Sequence, residues 1–282
     1  MGVTTRLRPT PTGPVHAGHI LVADYNCRLA HRAGDPFLLV VDDICYGLQD
    51  VWKRQAYPSI VVRGLVEDLA WLGMEPDEVY FSSTNAEAHA EAAERLGFEK
   101  PGRVTNDSFD LRCIRDSGRT VADQYHEWLV LTRVVDDHEW GVQAFARGHD
   151  LIGERQLYHH LWRQLYPAGD PPAQVYLPTV RRAPSPLKES TGAPTIRDLR
   201  TAGYTPEEVL GTIRECARVS ALAGLADVVI PEGVLEVATH KPLEWQGTKI
   251  NLLAHLKLTA DMPQAEHVAR QIARHLKGGN PQ

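Results

Sequence analysis

The segment Arg6-Leu7-Arg8-Pro9-Thr10-Pro11-Thr12-Gly13-Pro14-Val15-His16-Ala17-Gly18-His19 constrains this chain more than any other stretch. It reads as a short strand, a rigid turn, and the first turn of a helix continued by the apolar-periodic run Ile20 to Ala33. Pro9, Pro11 and Pro14 fix φ, so the loop has little freedom left to lose on ordering. Gly13 and Gly18 carry no Cβ and let backbone approach a ligand closely. Free N–H groups and the positive dipole end at a helix N-terminus favour an anion such as a triphosphate. His16 and His19, three positions apart, can share one helix face there.

Strand, helix and strand follow in quick order. Asp35-Pro36 ends the helix, and Phe37-Leu38-Leu39-Val40-Val41 is a continuous apolar run that reads as a buried parallel strand closing on Asp42-Asp43. This is the opening of a doubly wound α/β sheet, whose ligands sit at the carboxyl ends of strands. Tyr57 to Gly73 has apolar residues at helical spacing and stops at glycine. Val79-Tyr80-Phe81 reads as a short strand, and Ala86 to Leu96 as an exposed helix ending at Gly97. Phe98 to Asp123 is weakly patterned, with turn signals at Lys100-Pro101-Gly102 and Asp116-Ser117-Gly118. Trp128 to Val135 is apolar again, ending in Asp136-Asp137-His138. Gly141 to Ala146 reads as a strand, Gln156 to Leu165 as a helix, and Val175-Tyr176-Leu177 leads to a polar loop, Arg181 to Gly192. From Thr195 on the pattern is helical, with Asn251 to Leu258 and Ala265 to Leu276 as members of a small C-terminal bundle.

Bulk properties narrow the function classes. With 282 residues the chain can bury one α/β domain plus a smaller part. A formal charge of −6 argues against a broad basic surface for nucleic acid, while leaving room for a local patch. No apolar run nears the ~18 residues of a membrane span and no signal-like segment opens the chain, so no membrane partner and a cytoplasmic location are expected. Cys27, Cys45, Cys113 and Cys216 form no C-x-x-C pair and read as reduced thiols, not as a zinc site.

The run R-L-R-P-T-P-T-G-P-V-H-A-G-H resembles the signature of class I aminoacyl-tRNA synthetases of the glutamyl/glutaminyl branch, with its strand arginine, P-x-P-x-G loop and H-x-G-H box. Asp35 to Asp43, Ala70-Trp71-Leu72-Gly73, Val134 to His138, Ala146-Arg147-Gly148-His149-Asp150 and Pro184 to Gly211 resemble further segments of that family, over about residues 4 to 211. The resemblance implies a Rossmann-type doubly wound parallel sheet of the class I synthetase kind, with a short loop-rich insertion and a small helical C-terminal part. Residues 1–97 and 124–194 would form the two halves of the catalytic domain, 98–123 a shortened insertion, and 195–282 the helical region.

The implied chemistry is attack of an amino-acid carboxylate on the α-phosphate of ATP. His16, His19 and Lys188, of a mobile loop, would neutralise the phosphates, with Mg2+ bridging phosphate oxygens. Thr10, Thr12 and Gly18 would line the ATP, and Asp150 would accept from its ribose. Arg6 and Arg147 match positions that hold the side-chain carboxylate of glutamate, and Asp42 the position that holds the α-amino group. A guanidinium pairs bidentately with a carboxylate, so two retained arginines favour an acidic substrate.

The chain departs from the family in four places. Leu129 stands where a pocket tyrosine is expected. In the loop Ser185 to Gly192, Glu189 falls where the second lysine belongs, and a one-residue insertion restores Lys188. The acceptor-stem module is much shorter and lacks its cysteines, and no segment resembles an anticodon-binding domain. These departures lead to a stand-alone, truncated relative of glutamyl-tRNA synthetase, an AMP-forming ligase that activates glutamate or a similar acidic amino acid. Its acceptor would be a small amine, a thiol or a carrier protein. The alternatives are tRNA glutamylation of the glutamyl-queuosine tRNA(Asp) type and an inactive nucleotide- or partner-binding paralogue.

Overall fold

In the computed structural model, the described residues are 2–10, 15, 17–44, 58–98, 121–182, 185–186, 195–222, 227–230, 244–245 and 248–249. The chain divides into two compact units, one of residues 1–12, 26–63 and 76–176, the other of 13–25, 64–75 and 177–282.

The first unit is built on parallel strands. β1 (Thr5–Leu7) pairs in parallel with β2 (Phe37–Val41), which pairs in parallel with β3 (Glu78–Phe81). On the other side of β1 lies β4 (Ala144–Gly148), whose approach is fixed by Gln143 and Ala144 N–H groups donating to the Thr4 carbonyl. β5 (Ala173–Leu177) pairs with β4, and two sheets, β3-β2-β1 and β4-β5, follow side by side and meet at the Thr4 carbonyl. This is the doubly wound order with its reversal at β1.

Every residue of β2 is buried, which explains its unbroken apolar run. Its Val40 and Leu38 pack with three helices into one core: Ala92 and Ala93 of α3 (Ala86–Leu96), Leu131, Val134 and Val135 of α4 (Val121–Glu139), and Tyr158, Leu161 and Leu165 of α5 (Arg155–Leu165). The apolar stretch Trp128 to Val135 is thus helical. Trp128, Leu131 and Val134–Val135 recur every three to four positions, and that period places them on one face.

α1 (Ala17–Ala33) and α2 (Pro58–Trp71) each contribute residues to both units. α2 ends at Gly73 and α3 at Gly97, with φ of 71° and 67°, and in each case the next N–H reaches back to the last turn, Met74 to Leu69 and Phe98 to Ala93. Only glycine adopts that left-handed cap without a Cβ penalty.

Asn26, on α1, hydrogen-bonds the backbone of one strand and a side chain of another. Its side-chain Nδ2 donates to the Ala146 carbonyl at 3.1 Å and its Oδ1 accepts from the Ala146 N–H at 2.7 Å, while its own carbonyl accepts from Thr5 Oγ1 at 2.8 Å. One buried amide therefore ties the helix to β1 and β4.

In the second unit, α6 (Ile196–Thr201) starts with a capping box, in which Asp198 N–H donates to Thr195 Oγ1 and the Asp198 carboxylate accepts from Thr195 N–H. The Ile196 N–H donates to the Val15 carbonyl at 2.9 Å. On α7 (Pro206–Leu222), Arg214 grips Asp24 with two N–H groups at 3.1 and 2.6 Å. β6 (Val180–Arg182) pairs antiparallel with β7 (Ser185–Pro186) and in parallel with β8 (Val228–Val229). The sequence pattern from Thr195 on is helical, and β8 departs from it, as do β9 (Glu244–Trp245) and β10 (Thr248–Lys249). Two-residue strands are too short to leave a period of their own. Residues 99–120 of the expected insertion at 98–123, residues 187–192 of the polar loop at 181–192, and the expected helices at 251–258 and 265–276 lie outside the described residues. Among the described residues no helix is long and apolar enough to cross a membrane.

Two stability measurements follow. Asn26→Leu strands a buried N–H and a buried carbonyl of Ala146, and is expected to lower unfolding free energy by about 2–4 kcal/mol in urea titration. Asp68, on α2, is raised to about 6 by desolvation, which outweighs Arg197 and Arg200. A folded value above the ordinary 3.8 means that stability is gained as pH falls through 6. Asp68→Asn is therefore expected to be more stable than the parent at neutral pH, with the advantage gone near about pH 4.

Candidate active site

β1 and the loop after it place two arginines two positions apart, and α4 answers with two adjacent carboxylates near its C-terminal end. Arg6 is 5% exposed and meets Asp137 bidentately, Nε to Oδ1 at 2.5 Å and Nη2 to Oδ2 at 2.8 Å. Its guanidinium lies 3.9 Å from the centroid of the Phe145 ring. Asp137 also accepts from the Tyr158 hydroxyl at 2.8 Å. Arg8 donates from Nη1 to Asp136 at 2.6 Å and from Nη2 to Ser82 Oγ at 2.8 Å, and Ser82 donates to the same Asp136 oxygen at 2.6 Å. His89 Nε2 and Asn85 Nδ2 meet the other Asp136 oxygen at 2.7 and 2.9 Å.

The string continues across the carboxyl ends of the strands. Asp42, just past β2, has Oδ2 at 3.5 Å from Arg8 Nε and 3.9 Å from Arg133 Nη2. Arg133 donates from Nη1 to Glu154 Oε2 at 2.7 Å, and Arg147, on β4, hydrogen-bonds the same oxygen. Carboxylate and guanidinium thus alternate from Asp136 through Arg8, Asp42, Arg133 and Glu154 to Arg147. Among the described residues the cluster holds four guanidiniums (Arg6, Arg8, Arg133, Arg147) and four carboxylates (Asp42, Asp136, Asp137, Glu154), with the His89 imidazole beside Asp136.

Electrostatics follow from burial and pairing. Burial alone would push Asp136 up, but Arg8, His89 and Ser82 outweigh it and hold the carboxyl below its ordinary value. The same balance, with Arg133 and Arg147 against burial, holds Glu154 down. Desolvation, together with Arg133 and Arg6, lowers Arg147 against the pull of Glu154. Burial and Asp137 raise the Tyr158 phenol, so it stays protonated and donates. Two buried atoms of the cluster break the pattern. Arg8 Nε, 3.5 Å from Asp42 Oδ2, makes no hydrogen bond among the described residues. Asp42 is 1% exposed, and its Oδ1 accepts no hydrogen bond among them either.

Of the residues singled out in the sequence, Arg6, Asp42 and Arg147 come together in this cluster, and Asp150 stands exposed in the 3₁₀ turn that follows β4. Thr10 lies just past β1. Gly18 and His19 belong to the second unit, in the first turn of α1, where desolvation lowers the His19 imidazole to about 4. At neutral pH that ring is uncharged and offers one N–H donor. Thr12, His16 and Lys188 lie outside the described residues. Leu129 is half-buried, and its carbonyl accepts from Thr132 Oγ1. A tyrosine nevertheless reaches the cluster, Tyr158 from α5. The sequence reading passed over Asp137, Arg133, Glu154 and Tyr158 as site residues. Helical spacing puts Arg133 and Asp137 four apart on one face of α4, the one signal that marks any of them in advance.

No protein-family model matches the chain. Glutamate–tRNA ligase 2 of Methylobacterium sp. (strain 4-46) is 35% identical over an alignment of 338 positions that covers 97% of this chain and 73% of that one. The alignment is longer than the chain, so the relative carries insertions within the shared span. Glutamate–tRNA ligase 2 of Neorickettsia sennetsu is 27% identical over 235 residues, 73% of this chain and 54% of that one, so the chain spans about half of that relative's length. Among solved structures, the glutamate–tRNA synthetase of Elizabethkingia anophelis superposes with a TM-score of 0.56 at 15% identity, covering 96% of this chain and 70% of that chain, a likeness of fold.

Acid titration tests the pairing. Carboxylates held below their ordinary value contribute stability that is present above that value and lost as pH falls through the depressed one. The parent is expected to lose stability steeply below about pH 4, whereas Asp136→Asn starts about 3 kcal/mol less stable at neutral pH and falls on a shallower slope.

With its doubly wound fold, its strand-end cluster and a 35% identical relative covered over 73% of its length, the chain belongs to the glutamate–tRNA ligase family of class I synthetases.

Proposed function

We propose that this chain is a cytoplasmic ligase that activates an amino acid, glutamate foremost, with ATP, and passes it to a non-tRNA acceptor such as a small amine, a thiol or a carrier protein. The observation that carries the activation reading is Asp42 Oδ1, a buried carboxylate oxygen at a strand end that accepts no hydrogen bond among the described residues. An unsatisfied buried polar group costs about 1–3 kcal/mol, and more when charged. An α-ammonium group is a donor that would satisfy it.

Arg6 and Arg147 would orient the side-chain carboxylate. An oxygen of the α-carboxylate then attacks the α-phosphorus of ATP, the bond to the bridging oxygen breaks, and pyrophosphate leaves. Little covalent help is needed, because positioning and neutralised phosphate charge supply most of the acceleration. His19, as a neutral donor, and His16 and Lys188 would meet the charge that builds on the leaving pyrophosphate. Thr10, Thr12 and Gly18 would line the nucleotide, and Asp150 would accept from its ribose. Among the described residues no group of three or more His, Cys, Asp or Glu is arranged to hold a metal ion. A Mg2+ would be carried on the triphosphate oxygens, where it neutralises their charge.

The acidic composition supports a non-tRNA acceptor. The relatives' names favour the second reading, glutamylation of tRNA, including the glutamyl-queuosine type. Pyrophosphate exchange without tRNA, across the twenty amino acids, tests activation directly. Glutamate-dependent exchange is expected, reduced at least about 100-fold by His19→Ala. Asp42→Asn is expected to raise KM for the amino acid about tenfold or more and leave KM for ATP unchanged. Absence of exchange with every amino acid would sink the activation reading and favour an inactive paralogue. Labelled amino acid that becomes bound to added tRNA would move the acceptor to RNA.

A further inference from the structure

We infer that Glu154 is a selectivity residue, a resident carboxylate that engages the guanidinium a substrate's side-chain carboxylate would use and so narrows the site's preference for glutamate over its amide, glutamine. The inference rests on Arg147 being a substrate-binding residue, as proposed above.

Four observations carry it. Glu154 is 7% exposed and places one oxygen, Oε2, against both Arg147 Nη2 and Arg133 Nη1. Its other oxygen, Oε1, lies 3.7 Å from His126 Nδ1, on the water side of the cluster. Second, the carboxylate is not serving its own helix. Glu154 occupies the N-cap position of α5 and its side chain makes no hydrogen bond to the first turn of that helix. The side chain is turned towards the arginines instead.

Third, the other candidate guanidinium, Arg6, is held bidentately by Asp137, so neither candidate arginine is unpaired. Fourth, among the described residues guanidiniums and carboxylates balance four against four in the cluster. The α-ammonium and α-carboxylate of any amino acid leave that balance intact. The side-chain carboxylate of glutamate adds an unmatched negative charge beside Glu154, where burial weakens screening. The amide of glutamine adds none. Glutamate therefore binds at the expense of the Arg147–Glu154 pair, and removal of the Glu154 charge relieves the competition.

The test is Glu154→Gln, which keeps the shape of the side chain and removes its charge. In pyrophosphate exchange the ratio of kcat/KM for glutamate over glutamine is expected to rise at least about tenfold, through a lower KM for glutamate, with kcat and KM for ATP little changed. A merely structural role lowers both amino acids together and leaves the ratio where it was. A ratio that stays constant or falls overturns the inference. Should Glu154→Gln fail to fold, Glu154→Asp, too short to span both arginines, is expected to raise the same ratio to a smaller extent. If no amino acid supports exchange in the parent, the activation reading fails by itself. Calorimetric titration of glutamate and glutamine into parent and variant then decides the inference, since glutamate binding must tighten relative to glutamine.

Discussion

A buried charge must be paired, and this requirement organises the first unit. Arg6 could not lie under Phe145 at 5% exposure without Asp137, and Asp137 could not sit fully buried on α4 without Arg6 and the Tyr158 hydroxyl. Removal of one partner from such a pair leaves an uncompensated ion, at a cost of several kcal/mol. A string of pairs multiplies the constraint. The register of α4 against β1, the course of the chain past β2, and the 3₁₀ turn after β4 must all agree for Arg8, Asp42, Arg133, Glu154 and Arg147 to meet.

Rigidity of this kind suits a site that works by position more than by covalent chemistry. Activation of a carboxylate by ATP demands that donors and charges be set before the reactants arrive, because preorganised dipoles need no rearrangement as charge develops. The cluster is nearly closed on itself. Among the described residues it leaves two buried atoms without a hydrogen bond, the acceptor Asp42 Oδ1 and the donor Arg8 Nε. In the proposed function, the ammonium of an amino acid would find a partner at Asp42 and a second carboxylate would have to compete for one.

Much of the fold was legible because β2 is buried on both faces and reads as an unbroken apolar run, and because Gly73 and Gly97 mark helix ends that only a residue without Cβ adopts freely. α4 was less plain, since Trp128 to Val135 is rich in β-branched residues that suit either a strand or a buried helix, and its acidic end hid two residues of the site. The parallel pairing of β8 with β6 left no trace in the sequence, as a two-residue strand has no period to read.

By itself the sequence determined the doubly wound opening, the family, and the candidate residues Arg6, Asp42 and Arg147, because a motif of many positions with fixed φ at its prolines admits few folds. Only the tertiary structure decided how those residues are charged and paired. Asp137 lies 131 positions from Arg6, and Glu154 and Arg133 reach one another from separate elements. Spacing along a chain cannot show which carboxylate closes on which guanidinium across a sheet. That pairing is set by burial, which forces each ion to find the nearest opposite charge that packing brings within reach.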